Sequence, residues 1–353
     1  VLGRLGAVSF RCLENLALEP VAGTNVIVGD NGAGKTSLLE AIYLLGRGRS
    51  FRTANLNTVV RNGQKALAVR GTVEAAERSR SLSLKWVQGR VSAEVDGRAV
   101  DGLVELARQF PVEIIDTQVQ EIVRGGPGER RRYLDWGVFH VEHSFLDAWR
   151  RYSRALKQRN AALRANTADA GLAVWEAELA ASGVLLNGAR QRYVAALSAD
   201  LSDVLEDLVG AEVTLHYQRG WADGSELADA LARGRDRDMQ RGYTGVGPHR
   251  ADIDIRFDGR PARDHCSGGQ QKLIASGLVL AQVRIVGETL GASPVLLIDD
   301  PGAEVADSRL DRLMGWVDSL CEQRFVTGLD TDVLGDSADA LFHVEHGHVT
   351  RVK

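Results

Sequence analysis

The stretch N-V-I-V-G-D-N-G-A-G-K-T-S-L-L-E-A-I-Y-L-L, residues 25–45, decides the fold. An apolar run stops at Gly29, a glycine-rich turn follows, and after Lys35 the apolar residues recur at helical spacing. Strand, glycine loop and helix, in that order, form the context a phosphate-binding loop requires. The glycines let backbone N–H groups turn inward around an anion, and the helix start adds partial positive charge. Gly29, Asp30, Asn31, Gly32, Ala33, Gly34, Lys35, Thr36 and Ser37 are therefore assigned to the phosphates of a nucleotide, with ATP and Mg²⁺ as the expected cofactors. Lys35 is expected at the β- and γ-phosphates and the Thr36 hydroxyl on the metal.

A nucleotide site of this kind needs a second strand that delivers a carboxylate. V-L-L-I-D-D (295–300), introduced by Ser293-Pro294, reads as a short buried parallel strand ending in two acids. Such an end lies at the carboxyl edge of a sheet, where ligands of α/β folds sit. Asp299 is the expected Mg²⁺ ligand, and Asp300 the base that polarises the attacking water.

A second helix start also suits an anion. Residues 266–272 read C-S-G-G-Q-Q-K at the head of the apolar run L-I-A-S-G-L-V-L-A-Q. One nucleotide in one compact site cannot use both helix starts, but two copies of the chain can. Ser267, Gly268, Gly269 and Gln270 of one copy would then meet the γ-phosphate held by the loop of the other. Gly268 and Gly269 permit close approach because they carry no Cβ. An ATP-dependent homodimer follows.

Between these motifs the texture changes. Residues 5–29 read as strands, as do 66–74, 81–87 and 91–95, with turns at Ala75–Ser79 and Gln88–Gly89. From Glu129, Phe145, Trp149, Tyr152, Leu156 and Leu163 recur at helical spacing, with arginines on the other sides. Helices continue over 173–208, with a break expected near Ser182–Gly183 or Asn187–Gly188. V-T-L-H-Y (213–217) and R-F-V-T (324–327) return to strand. The expected fold is α/β, a head built from both chain ends with an inserted helical lobe. Its parts are residues 1–127, 128–208 and 209–353. F-H-V-E-H occurs twice, at 139–143 and 342–346, without the ligand spacing of a metal-binding helix, and is read as coincidence.

The 353 residues are 44% apolar and 25% charged, as in a soluble globular protein. Cys12, Cys266 and Cys321 lie far apart with no Cys-x-x-Cys, so a reducing, cytoplasmic setting is expected. No membrane-spanning run is expected, and Arg4 and Arg11 speak against a secretory leader. The net charge of −4 hides local bias: residues 120–165 hold ten Lys/Arg against five Asp/Glu. Such basic faces can bind a polyanion. Arg130, Arg131, Arg132, Arg150, Arg151, Arg154, Lys157 and Arg159 are the candidate DNA contacts, with Arg52 a further one.

Taken together, G-D-N-G-A-G-K-T-S-L-L-E-A-I-Y-L-L, G-R-S-F-R, R-R-R-Y-L-D-W, L-K-Q-R-N-A-A-L-R, G-P-H-R-A-D and S-G-G-Q-Q-K resemble the motifs of the RecF family, bacterial recombination-repair ATPases of the ABC/SMC type. They stand in that family's order across residues 3–350. The resemblance implies an ABC/SMC-type P-loop ATPase head, a helical lobe II and no long coiled coil. It implies ATP-dependent dimerisation on single-stranded, gapped and double-stranded DNA, with weak DNA-stimulated hydrolysis releasing the dimer. It also implies work with RecO and RecR to bring the RecA recombinase to gapped DNA.

The chain departs from the family pattern in places. A-E-V-A (303–306) stands where the D-loop resembles S-E-L-D, and Asp307 comes one place late. Pro301-Gly302 directly follows the two acids, and Cys266 replaces an apolar residue. D-T-Q-V-Q (116–120) leaves Gln118 and Gln120 both open as the Mg²⁺-sensing glutamine. Two other readings compete: the ATPase subunit of a membrane transporter, and an ATP-binding clamp with negligible hydrolysis. Against the first, G-P-H-R and K-Q-R-N are foreign to transporter ATPases, Asp300 stands where those carry Glu, and 325–328 offer no switch histidine.

Overall fold

The computed structural model describes residues 1–75, 78–165, 169–302, 305–328 and 338–353. The chain opens with β1 (Leu2–Phe10), β2 (Leu13–Leu18), β3 (Gly23–Val28) and α1 (Lys35–Arg47). A meander follows, β4 (Ala66–Ala75), β5 (Arg78–Val87), β6 (Arg90–Val95) and β7 (Arg98–Ala99), then α2 (Val104–Gln109) and β8 (Val112–Ile115). Next come α3 (Glu121–Arg124), α4 (Pro127–Val141), α5 (Phe145–Arg164), α6 (Asp169–Val209), β9 (Val213–Gln218) and α7 (Leu227–Arg241). They are followed by β10 (Asp252–Phe257), β11 (Arg260–Pro261), α8 (Ala262–His265) and α9 (Gly268–Leu290). The chain closes with β12 (Val295–Ile298), α10 (Asp307–Leu320), β13 (Gln323–Gly328), β14 (Ala340–Glu345) and β15 (His348–Arg351).

The chain forms two compact units, residues 1–119 with 291–353, and residues 120–290. The first holds a six-stranded sheet in the order β15-β14-β3-β13-β12-β8. All its pairs are parallel except β14 with β15. Strand β12 is buried along its whole length, as an apolar run within a parallel sheet must be. A second, antiparallel sheet runs β2-β1-β4-β5-β6-β7. One face of it packs with α1 into a shared core that includes Leu5, Phe10, Leu38, Ile42, Leu45, Val69, Leu84 and Phe110. Buried Gln323 stitches the two sheets together. Its amide donates to the Leu2 and Val21 carbonyls and accepts from the Leu2 N–H. Residues 76 and 77, inside the turn expected at Ala75–Ser79, lie outside the described residues.

The second unit differs from expectation in three ways. Residues 120–127 and 209–290, expected with the head, fall by packing in the unit that holds the helical insertion. There α9 packs on α6 and α4, and β9 pairs with β10 beside them. No break occurs at 182–183 or 187–188, because α6 runs unbroken over 41 residues. A Cβ on Gly183 would sit 2.5 Å from Leu227 and 3.2 Å from Tyr152, so this glycine admits neighbours instead of ending the helix. Finally, α9 is long and apolar enough to cross a membrane by length and composition. It is instead a core helix, with 67% of its apolar 18-residue stretch buried.

The two motifs least related to nucleotide chemistry, K-Q-R-N and G-P-H-R, meet in this unit. Arg159 is fully buried and donates to Glu176 (2.9 Å), Asp238 (2.7 Å) and the Thr244 hydroxyl (2.9 Å). Asn160 accepts from the Thr244 N–H and hydroxyl at 2.8 and 2.7 Å. His249 Nε2 lies 2.9 Å from the Thr244 carbonyl, which can only accept, so the proton sits on Nε2. Nδ1 then accepts from the Tyr152 hydroxyl at 2.7 Å.

Burial pushes the His249 imidazolium pKa down to about 4, aided by Arg250 and Arg131 and opposed by the Thr244 hydrogen bond. The folded value lies below the unfolded one, so the unfolded chain binds more protons between them. The neutral ring therefore contributes stability that is complete above about pH 6.5 and lost as pH falls towards 4. Denaturant unfolding at pH 7 and pH 4.5 should show His249→Gln losing less stability on acidification than the unsubstituted protein, by roughly 1–3 kcal/mol. An equal loss in both proteins would place the acid sensitivity elsewhere.

Candidate nucleotide site

Strand β3 delivers the chain to Gly29, whose φ of 149° leaves no room for a side chain. A Cβ there would lie 2.2 Å from the Val344 carbonyl of β14. Gly32 (φ 81°) and Gly34 (φ 123°) complete the turn in conformations that favour glycine. Helix α1 then starts without a side-chain cap, and its first residues, Lys35, Thr36 and Ser37, line a cavity. An anion is the natural partner for such a helix start. The Lys35 ammonium folds over the loop and donates to the Gly29 and Asp30 carbonyls at 2.5 and 3.1 Å. That uses two of its three N–H groups.

A chain of short hydrogen bonds joins this helix to the sheet. The Thr36 hydroxyl lies 3.0 Å from both oxygens of Asp299, at the end of β12. Asp299 also accepts from the Thr327 hydroxyl of β13 at 2.8 Å. The Thr327 oxygen in turn accepts the Asp300 N–H at 3.0 Å. That bond helps hold Asp300 at φ 51°, an uncommon backbone conformation for a residue with a side chain. Asp299 is buried and Asp300 exposed.

These groups line a cavity of about 700 Å³. Asp30, Asn31, Gly32, Gly34, Lys35, Thr36 and Ser37 line it, with Asp299 and Asp300. Gly29 and Ala33 do not; they pack against β14 and the Gly347 turn. Sequence reasoning missed Phe51, Asp116, Thr117, Thr327 and Gly328, which also line it. Thr327 was within reach, since it ends the strand beside β12. Arg52, expected as a DNA contact, lines this cavity instead, and so does Gln118. Gln120 is buried in the second unit. The Thr36 hydroxyl and Asp299 carboxylate form an oxygen-only donor set that fits Mg²⁺, a hard cation that takes few protein ligands and completes its shell with phosphate and water. Ala303 and Glu304 of the altered D-loop lie outside the described residues.

Ser267 to Gln270 belong to the second unit. The Ser267 N–H donates to the Gln270 side chain at 2.9 Å, and the Gln270 N–H to the Ser267 hydroxyl at 3.3 Å. This reciprocal pair caps α9. Ser267 and Gly268 are exposed, and a Cβ on Gly268 would meet nothing of its own chain within 4 Å.

The candidate DNA contacts sort by burial. Arg159 is withdrawn from that group by the buried network described above. Arg130 is withdrawn too, since it is 7% exposed and clamped on Asp252 at 2.7 and 3.0 Å. Arg131 donates to the Ala251 carbonyl, Arg132 pairs with Glu129, and Arg151 pairs with Glu178. Arg150, Arg154 and Lys157 are exposed and form one stripe along α5, at i, i+4 and i+7. Trp149, expected on the apolar face, is 43% exposed beside them.

Fold and site together define a P-loop ATPase head of the ABC/SMC type. The RecF/RecN/SMC N-terminal domain family matches residues 1–351. The DNA replication and repair protein RecF of Chromohalobacter salexigens is 39% identical, over 99% of both chains. That of Stutzerimonas stutzeri is 39% identical over 99% of this chain and 97% of its own. A solved structure of the recombination mediator protein RecF with ATP, in the RecFOR pathway, superposes with a TM-score of 0.92 at 27% identity. It covers 100% of this chain and 97% of that one. A solved Smc head bound to the C-terminal winged-helix domain of ScpA shares the fold alone, at a TM-score of 0.59 and 17% identity, over 99% of this chain and 97% of that one. The chain belongs to the RecF/RecN/SMC family, and within it to RecF.

Two glycines of the loop separate fold from binding. Gly29→Ala meets a backbone carbonyl and should cost about 3 kcal/mol or more of stability. Gly32→Ala meets nothing within 4 Å and should cost only about 1–2 kcal/mol for its left-handed backbone. Denaturant midpoints compare the two directly, and equal losses would contradict the packing of Gly29 on β14.

Proposed function

We propose that this protein is an ATP-dependent DNA-binding protein of recombinational repair and replication, whose two copies close on ATP. The observation that carries the proposal is the division of labour between two helix starts. That of α1 is uncapped and lines a cavity with the Thr36–Asp299 pair. That of α9 is capped, exposed and carries a glycine that its own chain does not require. In the closed dimer, Ser267 to Gln270 of one copy would complete the phosphate site of the other.

Within each site, the α1 N–H groups and Lys35 would bind the phosphates, and Arg52 would add a second cation from the cavity wall. Thr36 and Asp299 would hold Mg²⁺, which when bound neutralises phosphate charge. Gln118 would stand by as its sensor. Asp300 would take the proton of the attacking water, its position fixed by Thr327. Hydrolysis is expected to be weak, DNA-stimulated and coupled to release of the dimer. The solved RecF relative's place in the RecFOR pathway supports RecO and RecR as partners, and gapped DNA as the place of action and a cytoplasmic location belong to the same proposal. Full-length similarity to RecF sets the transporter reading aside.

Mass in solution, measured with ATP, with ADP and without nucleotide, tests the two-copy mechanism. The unsubstituted protein should dimerise with ATP only. Ser267→Arg should bind ATP with near-normal affinity and remain monomeric, because its bulk occupies the place of the partner's phosphate. Lys35→Ala should neither bind nor dimerise. If Ser267→Arg dimerises normally, the α9 start is only a capped helix.

DNA is proposed to follow the exposed stripe of α5. Replacing Arg150, Arg154 and Lys157 together by Ala should weaken duplex binding. It should also flatten the dependence on log salt by about 0.9 for each phosphate no longer neutralised. Replacing Arg159, by contrast, should lower stability. An unchanged salt slope in the triple variant would remove the stripe from the interface.

A further inference from the structure

Glu40 lies one helical turn beyond Thr36 on α1 and has no solvent exposure. A buried carboxylate is costly unless partners surround it. Arg11, Ser50 and Arg52 do so here. Arg11 binds it with two N–H groups, at 2.7 and 2.9 Å. The Ser50 hydroxyl donates to Oε1 at 2.5 Å. The Arg52 guanidinium stands 3.6 Å from Oε2, close enough for ionic attraction but beyond hydrogen-bond reach.

The partners come from segments distant in sequence. Arg11 is the turn between β1 and β2, held at φ 50°. It also donates to the Thr58 carbonyl at 2.7 Å. Ser50 is itself a hub. While donating to Glu40, its oxygen accepts the N–H groups of Arg52 and Thr53 at 3.0 and 3.1 Å. The loop that presents Phe51 and Arg52 to the nucleotide cavity is thus tied, through one hydroxyl, to a carboxylate on the phosphate-binding helix. Phe51 adds an edge contact to Tyr43 of the same helix at 5.3 Å between ring centres.

The charges are unequal in their commitments. Arg11 is 20% exposed and already meets Glu40 bidentately, which satisfies both oxygens. Arg52 is 45% exposed and is attracted without being consumed. It is a surplus cation, kept at the cavity wall by a charge that another arginine has paired.

We infer that Glu40 is a positioning residue for ATP binding: through Ser50 and its own charge it holds Arg52 where a triphosphate can take it, while Arg11 keeps the carboxylate from capturing Arg52 fully. The inference rests on the ATP site proposed above. Its chemistry is specific, since a neutral amide at this place could still accept from Ser50 but would neither attract Arg52 nor hold Arg11 bidentately.

A double-mutant cycle on the full chain tests it, with ATP affinity as the readout and melting temperature alongside. Arg52→Ala should weaken ATP binding about tenfold or more, as loss of a charged hydrogen-bond donor does. Glu40→Gln should weaken it comparably. The double variant should be no weaker than Arg52→Ala alone, because Glu40 acts on the ligand through Arg52. Ser50→Ala leaves the Arg11 pair in place and should give the same loss, again absent when Arg52 is already Ala. It keeps the question answerable if Glu40→Gln folds poorly. Losses that multiply in both cycles would overturn the inference and leave Glu40 and Ser50 as purely structural groups. If the unsubstituted protein does not bind ATP, or Lys35→Ala binds it unchanged, the ATP site itself is wrong and the inference falls with it.

Discussion

One carboxylate, that of Asp299, holds the nucleotide site to the sheet. It ends a buried strand, so its charge emerges where apolar surroundings stop. There it gathers the Thr36 hydroxyl from the phosphate-binding helix and the Thr327 hydroxyl from the neighbouring strand. Helix α1 and strands β12 and β13 thus converge on one side chain. Thr327 passes the constraint on to the backbone of Asp300, which takes up an uncommon conformation at the cavity edge. Loss of Asp299 would take the acceptor from two hydroxyls at once, remove one of the two proposed metal ligands, and leave Thr36 and the proposed base without a common anchor.

The P-loop, the strand that ends in two acids and the capped α9 start were all legible in the sequence. Each depends on residues within a few positions of one another, where glycine turns, apolar runs and helix caps leave local signatures. Asp116 was not legible as a cavity residue, because only sheet order brings its loop to the ends of β12 and β13, and Phe51 and Arg52 were not, because their loop is held there by side-chain ties to Glu40 and Tyr43. Parallel pairing of β12 with β8 and β13 places the ends of three strands side by side. No spacing along the chain records that neighbourhood.

Charge was legible in number but not in use. Eight basic residues between 130 and 159 looked alike as letters. Burial divides them: Arg130 and Arg159 bind acids inside the second unit, whereas Arg150, Arg154 and Lys157 stay on a helix surface. The same holds for glycine. Gly183 looked like a helix stop, yet its missing side chain makes space for Leu227 and Tyr152 inside an uninterrupted helix. In both cases the deciding partner lies far along the chain, so a local reading had no access to it.

The interrupted connectivity of the first unit sets an order of events during synthesis. Strand β3, which carries the phosphate-binding loop, is flanked in the sheet by β13 and β14. Both come from the last part of the chain, after residue 322. Until residues 323–345 have been made, β3 has neither neighbour, although residues 120–290 are complete before then and can pack on themselves. The long-range pairings must wait, and pairings of that kind are slow to form. The unpaired backbone edges of β3 are therefore exposed for longer than those of any local hairpin in the chain, and in that interval the nascent protein depends most on remaining unaggregated.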